Sequence, residues 1–349
     1  MSTKINLEIK TMETRKVQKT GKSTLVVSLP KKWATQNAVD SGSLLFISQN
    51  QNGELILSLS GSKPDLIAKL DIGNKSGDHL IRDIIACYIA GYKTIEVSSH
   101  QMSSIQKKDL HNIVNKLIGP EILDETIDKI VIHDLLKPDE LRSDQALKKM
   151  KNITRSMIQD AISILIKKNE DLAFDVMQRD NDVDRLNLLI ARQFTEVLRS
   201  GDIKKEVLNP IIIFNHMQAA SNLERMADHA SQIAEISCQS DYDHPAEMID
   251  KLSKLRSVFA ALIDDVISVL LNANTGKANE LIDKTNEIKT QSMIIIDLSK
   301  ENDQNEMLVK LVVAGSIERM LDHIVNIAEL AINLNNTAFE KCITRDKYL

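Results

Sequence analysis

Leu25, Val27 and Leu29 recur with a period of two, the mark of a strand, and Pro30, which brings no ladder donor, ends it. The short amphipathic segment KKWATQNAV follows. Ser41-Gly42 then turns the chain into LLFISQ, and Gln51-Asn52-Gly53 reverses it into ELILSL as an Asn-Gly hairpin. The order predicted for the first sixty residues is strand, helix, hairpin. Further on, DLIAKLD (65–71), KTIEVS (93–98) and DKIVIHDLL read as strands. They alternate with two amphipathic helices, HLIRDIIACYIAGY, which Gly91 ends, and SSIQKKDLHNIVNKLIG, which Gly119-Pro120 ends. A small α/β or ferredoxin-like domain is expected there.

From about Asp139 the period changes to 3.6, and only Gly201, Pro210, Pro245, Gly276 and Gly315 interrupt the helical pattern. This half repeats itself: SNLERMADHASQIAEI at 221–236 matches GSIERMLDHIVNIAEL at 315–330, with Glu224 and Glu318 separated by 94 residues. Leu223, Met226, Ala227, Ala230, Ile233 and Ala234 form an apolar stripe that Ile317, Met320, Leu321, Ile324, Ile327 and Ala328 repeat, so both sets are assigned to the core. A second stripe is acidic, with Glu224 and Asp228 in one copy and Glu318 and Asp322 in the other. Like charges at i,i+4 oppose helix formation by about 0.2–0.5 kcal/mol, so a compensating cation is expected. Carboxylate oxygens suit a hard ion such as Mg, Mn, Fe or Ca. Asp180 and Asp184 supply two more acids at the same spacing on a preceding helix. In the second copy Asp283 and Glu287 align only loosely, and Lys289 stands where the first copy has Asp184. The alternative for all these acids is a solvated face neutralised by Arg225 or Arg319. His229 and His323 are read as neighbours of the acids, not as ligands.

Composition narrows the function. The chain has 349 residues, 43% hydrophobic and only 3% aromatic, which suits aliphatic helix bundles and speaks against base stacking as a main activity. The net charge of −5 is uneven: residues 1–60 carry +4 and the remainder −9. Arg15, Lys16, Lys19, Lys22, Lys31 and Lys32 place six cations and no acid in eighteen residues, a surface for phosphate backbones. The small apolar content of the first sixty residues predicts a barrel completed by a second chain, hence a homodimer. Cys87, Cys238 and Cys342 are odd in number and form no CxxC pair, which fits a reducing cytoplasm, and no apolar run is long enough to span a bilayer. Gly21-Lys22-Ser23 lacks the first glycine of a P-loop and precedes a strand, and DNDVDR lacks the glycine and closing glutamate of an EF-hand, so neither motif applies. No nucleophile, base and orienter converge by spacing, and no enzyme activity is expected.

RKVQKTGKSTLVVSLPKKW with the turn and strand after it resembles the AbrB/SpoVT family of swapped-hairpin DNA-binding domains over about residues 12–60. That resemblance implies contact with double-stranded DNA through Arg15, Lys16, Lys19, Lys22, Lys31 and Lys32. The duplicated ERMxDHxxxIAE, with RDNDVDRLN, resembles the PhoU family of phosphate-signalling regulators over about residues 143–337. It implies two tandem three-helix bundles and E/D-x-x-x-D clusters binding divalent or ferric ions (Fe, Mg, Mn or Zn) through Asp180, Asp184, Glu224, Asp228, Glu318 and Asp322. It also implies partnership with an ABC-type phosphate importer. The expected fold class is multidomain α+β: a swapped-hairpin β-barrel (1–61), a small α/β domain (62–138) and all-α bundles (139–240 and 241–349). The expected function is a cytoplasmic, DNA-binding regulator of phosphate uptake. The alternative is an adaptor that inhibits the importer through its ATPase subunit without binding DNA; a metal-dependent hydrolase ranks last.

Overall fold

The computed structural model describes residues 13–49, 53–59, 65–136, 140–200, 209–239, 246–292 and 304–343. The chain divides into two compact units, residues 1–63 and 64–349. In the first, β1 (Gln18–Thr20) and β2 (Thr24–Val26) pair antiparallel with Lys19 opposite Leu25. Gly21 turns between them at φ +70°, a conformation without steric cost only for glycine. The basic stretch ahead of the predicted strand is thus itself partly a strand, which pairs the backbone donors and acceptors of β2. Helix α1 (Lys31–Gln36) follows Pro30 and carries Lys31 and Lys32 as its first two residues. β3 (Phe46–Gln49) and β4 (Leu55–Ser58) form the second hairpin, with Phe46 opposite Ser58. Of its expected turn, Gln51 and Asn52 lie outside the described residues, and Gly53 has φ +81°.

The second unit begins with β5 (Ile67–Asp71), α2 (Asp78–Ile89), β6 (Thr94–Ser98), α3 (Ser104–Asn115), β7 (Pro120–Glu125) and β8 (Lys129–Asp134). The sheet order is β5-β6-β8-β7, with β5 and β6 parallel and the other pairs antiparallel. This βαβαββ order is α/β but not the βαββαβ order of a ferredoxin-like fold. The difference is β7, absent from the sequence reading. Its segment PEILDE shows no clean alternation, and a bulge between Ile122 and Asp124 leaves Leu123 exposed at the sheet edge. Ala68, Ile95, Val97, Ile130 and Ile132 pack one sheet face against Leu80, Ile84, Tyr88, Leu110 and Val114 of α2 and α3. Ser103 caps α3 in a reciprocal capping box with Gln106. Asp78, Asp83, His111 and His133 have polar partners in Arg82, Lys75, Glu125 and Thr94.

Among the described residues six helices follow: α4 (Ser143–Ile166), α5 (Glu170–Ser200), α6 (Pro210–Gln239), α7 (Ala246–Leu271), α8 (Thr275–Ser292) and α9 (Gln304–Ile343). Helices α4, α5 and α6 pack on one another, as do α7, α8 and α9, and α4–α7 and α6–α9 contacts join the two sets. One continuous aliphatic core runs through both, and all twelve residues of the two sequence-assigned stripes are buried in it.

Arg192 of α5 fastens the sheet to the helices. Its guanidinium, 4% exposed, donates to the carbonyls of Tyr88 and Tyr92 at 3.0 and 3.2 Å and to Asp134 Oδ2 at 2.8 Å, and pairs with Glu196 at 2.9 Å. It also lies 4.9 Å from the centroid of the Tyr88 ring. Asp134, 6% exposed, sits against Gly119, where a Cβ would meet Asp134 Oδ1 at 2.3 Å. Gly119, at φ +101°, therefore serves both the backbone turn and this close approach.

Candidate functional site

The 3.6-residue period carries Glu224 and Asp228 to the outer side of α6, because Leu223, Met226 and Ala227 claim the inner one. Asp180 and Asp184 reach the same place from α5, which packs along α6. Burial raises the pKa of all four carboxylates, and repulsion from Asp228 adds to this for Asp180, Asp184 and Glu224. Glu224 is pushed up to about 7, first by burial and then by Asp228 and Asp184. Asp180 is pushed up to about 6 by burial, Asp228 and Asp184, and Asp184 and Asp228 also rise, chiefly through burial. None of the four is in an ion pair with a described residue, and Asp180 Oδ1 is buried without a hydrogen-bond partner. Among the described residues no three His, Cys, Asp or Glu side chains already close on one point as a metal site. What the structure brings together is a negatively charged, partly desolvated donor set on two adjacent helices.

The second repeat solves the same problem differently. Lys289 of α8 reaches across to α9, its Nζ 2.7 Å from Asp322 Oδ1 and 3.2 Å from Glu318 Oε1. Thr285, the counterpart of Asp180, is buried and donates its hydroxyl to the carbonyl of Leu281 at 2.7 Å. An ammonium thus stands between the two acids that the sequence reading assigned to a second metal cluster. Hydrogen bonds from Lys289 to these carboxylates in turn raise the lysine's pKa.

Histidines mark the junction of the repeats. His229 of α6 and His323 of α9 stack with ring centroids 6.1 Å apart. His323 Nδ1–H donates to Asn222 Oδ1 at 2.9 Å, and burial, with His229 next, pushes its pKa down to about 4.

The carboxylates give a pH dependence whose sign follows from linkage. A carboxyl whose folded pKa lies above its unfolded value keeps its proton longer in the folded state, so its contribution to stability falls as pH rises between the two values. For Glu224 that window runs from its ordinary value of 4.5 to about 7. Metal-free Glu224→Gln is therefore expected to gain stability over the wild type, by about 1 kcal/mol after solvent screening, as pH goes from 5 to 8. Urea unfolding of both proteins with chelator at each pH measures this. The difference between proteins removes the opposite trend of His216 and His323, both held near 4. An equal pH dependence for the two would contradict mutual repulsion in the cluster.

In the amino-terminal unit Lys16, Lys19, Lys22, Lys31 and Lys32 make no ion pair with a described residue, while Arg15 pairs with Glu13 just ahead of the basic stretch. The hairpin gathers Lys19 and Lys22 within one tight reversal. Among the described residues of this unit none is buried in the single chain, and Leu25, Val27, Leu44, Phe46, Ile47 and Leu55 are exposed.

The PhoU domain, as a family, matches residues 147–237 and 252–331, and the family described as antidote-toxin recognition MazE, bacterial antitoxin, matches residues 18–65. The phosphate-specific transport system accessory protein PhoU homolog 1 of Thermotoga maritima is 27% identical over 202 residues, covering 55% of this chain and 84% of that protein. The PhoU homolog of Clostridium acetobutylicum is 21% identical over 204 residues, covering 56% of this chain and 91% of that protein. In fold, the helical half is like the crystal structure of PhoU from Pseudomonas aeruginosa, at a TM-score of 0.50 and 18% identity, covering 56% of this chain and 96% of that one. Two copies of one acid-bearing helix, packed through one aliphatic core and matched twice by the same family, lead to one conclusion: the helical half of this chain carries the PhoU domain in two copies, and a segment that matches the MazE antitoxin family lies ahead of it.

Proposed function

We propose that this chain is a cytoplasmic, dimeric regulator of phosphate uptake that binds double-stranded DNA through its basic hairpin and holds a metal cluster in its first helical repeat. The observation that carries the reading is the coreless amino-terminal unit. Among its described residues none is buried, most of the large apolar ones are exposed, and five lysines beside them make no ion pair with a described residue. Desolvation would cover the former with the same segment of a second chain, making the swapped-hairpin barrel, and the latter would then lie on a doubled cationic surface. Cytoplasmic placement accords with the free Cys87 and Cys238 and with the absence, among the described residues, of a helix long and apolar enough to cross a membrane. The regulation needs no catalysis: a ligand held by the helices would bias DNA affinity by linkage. Sedimentation of the full chain, with duplex binding followed across a salt series, tests it. A dimer whose log affinity falls steeply with log salt is expected, and a monomer, or no binding at low salt, would refute it.

The names of the relatives favour a second reading, in which the helical half docks on the ATPase subunit of an ABC-type phosphate importer and the amino-terminal unit only clamps the dimer. Failure to bind DNA, with an intact dimer, would move this adaptor role to first place.

For the metal, Asp180, Asp184, Glu224 and Asp228 are the proposed ligands, drawn together by side-chain rotation around a hard cation that offsets their repulsion. The orphaned Asp180 Oδ1 and the raised pKa values support the fit. Glu318 and Asp322 would take a metal only if Lys289 were displaced. Elemental analysis after manganese loading is accordingly expected to find metal in one repeat only, and Thr285→Asp/Lys289→Asp to raise the content about twofold. An unchanged content in that double variant would contradict the role given to Lys289.

A further inference from the structure

Contacts between the repeats are reciprocal. Ser316 Oγ donates to Gln232 Oε1 at 3.1 Å, and Asn326 Nδ2 donates to Asn222 Oδ1 at 3.3 Å. A shift of 94 residues turns Asn222 into Ser316 and Gln232 into Asn326, so the two bonds exchange places, while His229 and His323, equivalent by the same shift, stack on each other. Such contacts define an internal pseudo-twofold axis, the single-chain form of an isologous interface. Arg225 and Arg319 are the equivalent arginines of the two repeats, and both line one cavity of about 610 Å³ at this junction, along with His229, His323, Ser231 and Gln232. Neither arginine makes an ion pair with a described residue. Both are exposed, whereas Arg179 and Arg192 of the same half are half-buried and buried and are tied to carboxylates.

We infer that this junction cavity is a binding site for a phosphate group, orthophosphate or a small phosphomonoester, clamped between Arg225 of the first repeat and Arg319 of the second. Guanidinium groups match phosphate oxygens with paired, charge-assisted hydrogen bonds, and two of them from opposite sides of a pseudo-twofold axis suit an anion with several equivalent oxygens. The hydroxyl of Ser231, buried without a hydrogen-bond partner, and the Gln232 amide add polar contacts on the same wall. A cavity in the range of small-molecule sites leaves room for more than a bare anion. Asp180, Asp228 and Glu235 also border it, and here the inference rests on the metal reading: a cation held by Asp180 and Asp228 would neutralise those two and lie beside the phosphate, leaving Glu235 as the one acid of the wall outside the metal set. Binding at this axis would tie the first bundle to the second.

Isothermal titration of the full chain with inorganic phosphate and, separately, a sugar phosphate tests the site, with manganese and with chelator, metal content being measured on the same samples. Saturable binding of either is expected, strengthened by manganese and weakened about tenfold or more in Arg225→Ala/Arg319→Ala. Tighter binding of the sugar phosphate would assign the cavity to a metabolite, and tighter binding of orthophosphate to the free ion. No phosphate binding in manganese-loaded protein would overturn the inference and leave the metal reading standing, as would equal affinity in wild type and a folded Arg225→Lys/Arg319→Gln variant. Absence of both metal and phosphate binding would sink both.

Discussion

Arg15→Ala/Lys19→Ala/Lys22→Ala is expected to weaken duplex DNA binding by about a thousandfold near 100 mM salt and to flatten the salt dependence. Each phosphate neutralised contributes about 0.9 to the slope of log affinity against log salt. In the proposed dimer, three cations lost from each of two chains would remove up to six contacts, so the slope should fall by about five. On that reading these side chains would hold the backbone without reading bases, and the loss should be similar on specific and random duplexes. Fold is not expected to suffer, since all three side chains are exposed and only Arg15 has an ionic partner, the equally exposed Glu13. Fluorescence anisotropy across salt decides the matter. A triple variant with unaltered slope would mean that DNA, if bound, is held elsewhere.

Arg192→Met is expected to destabilise the second unit by about 3–5 kcal/mol. Removing one partner of a buried pair leaves the other charge without compensation, and here Asp134 is 6% exposed with Lys93, at 3.8 Å, as its remaining cation. The carbonyls of Tyr88 and Tyr92 lose their donor at the same time. Asp134→Asn in the same background should recover part of the loss, because an amide needs no counterion. Chemical denaturation of the three proteins measures this. If Arg192→Met costs under about 1 kcal/mol, the sheet is not fastened to α5 by this pair.

Periodicity made the helical half legible. Spacing in the repeats 221–236 and 315–330 assigns twelve apolar positions to the core, and all twelve are buried, because a 3.6-residue repeat leaves one helix face no alternative. The acids on the neighbouring stripe were legible for the same reason. β7 was not, since its single-sided edge position and bulge erase the alternation that marks a strand. Nor was β1, whose polar residues pair only because Gly21 reverses the chain. The Arg192–Asp134 pair joins positions 58 residues apart and carries no local signature.

By itself the sequence determined what short-range periodicity and duplication encode: two helical repeats, their buried faces, a carboxylate stripe and a basic amino-terminal segment. Tertiary structure alone decided which charges meet. It set Lys289 between Glu318 and Asp322 while leaving Glu224 and Asp228 facing Asp180 and Asp184, and it put Arg225 and Arg319 on one cavity. The physical reason is range: backbone period orders side chains along a helix within a few turns, whereas electrostatic pairing between helices depends on how their buried faces pack.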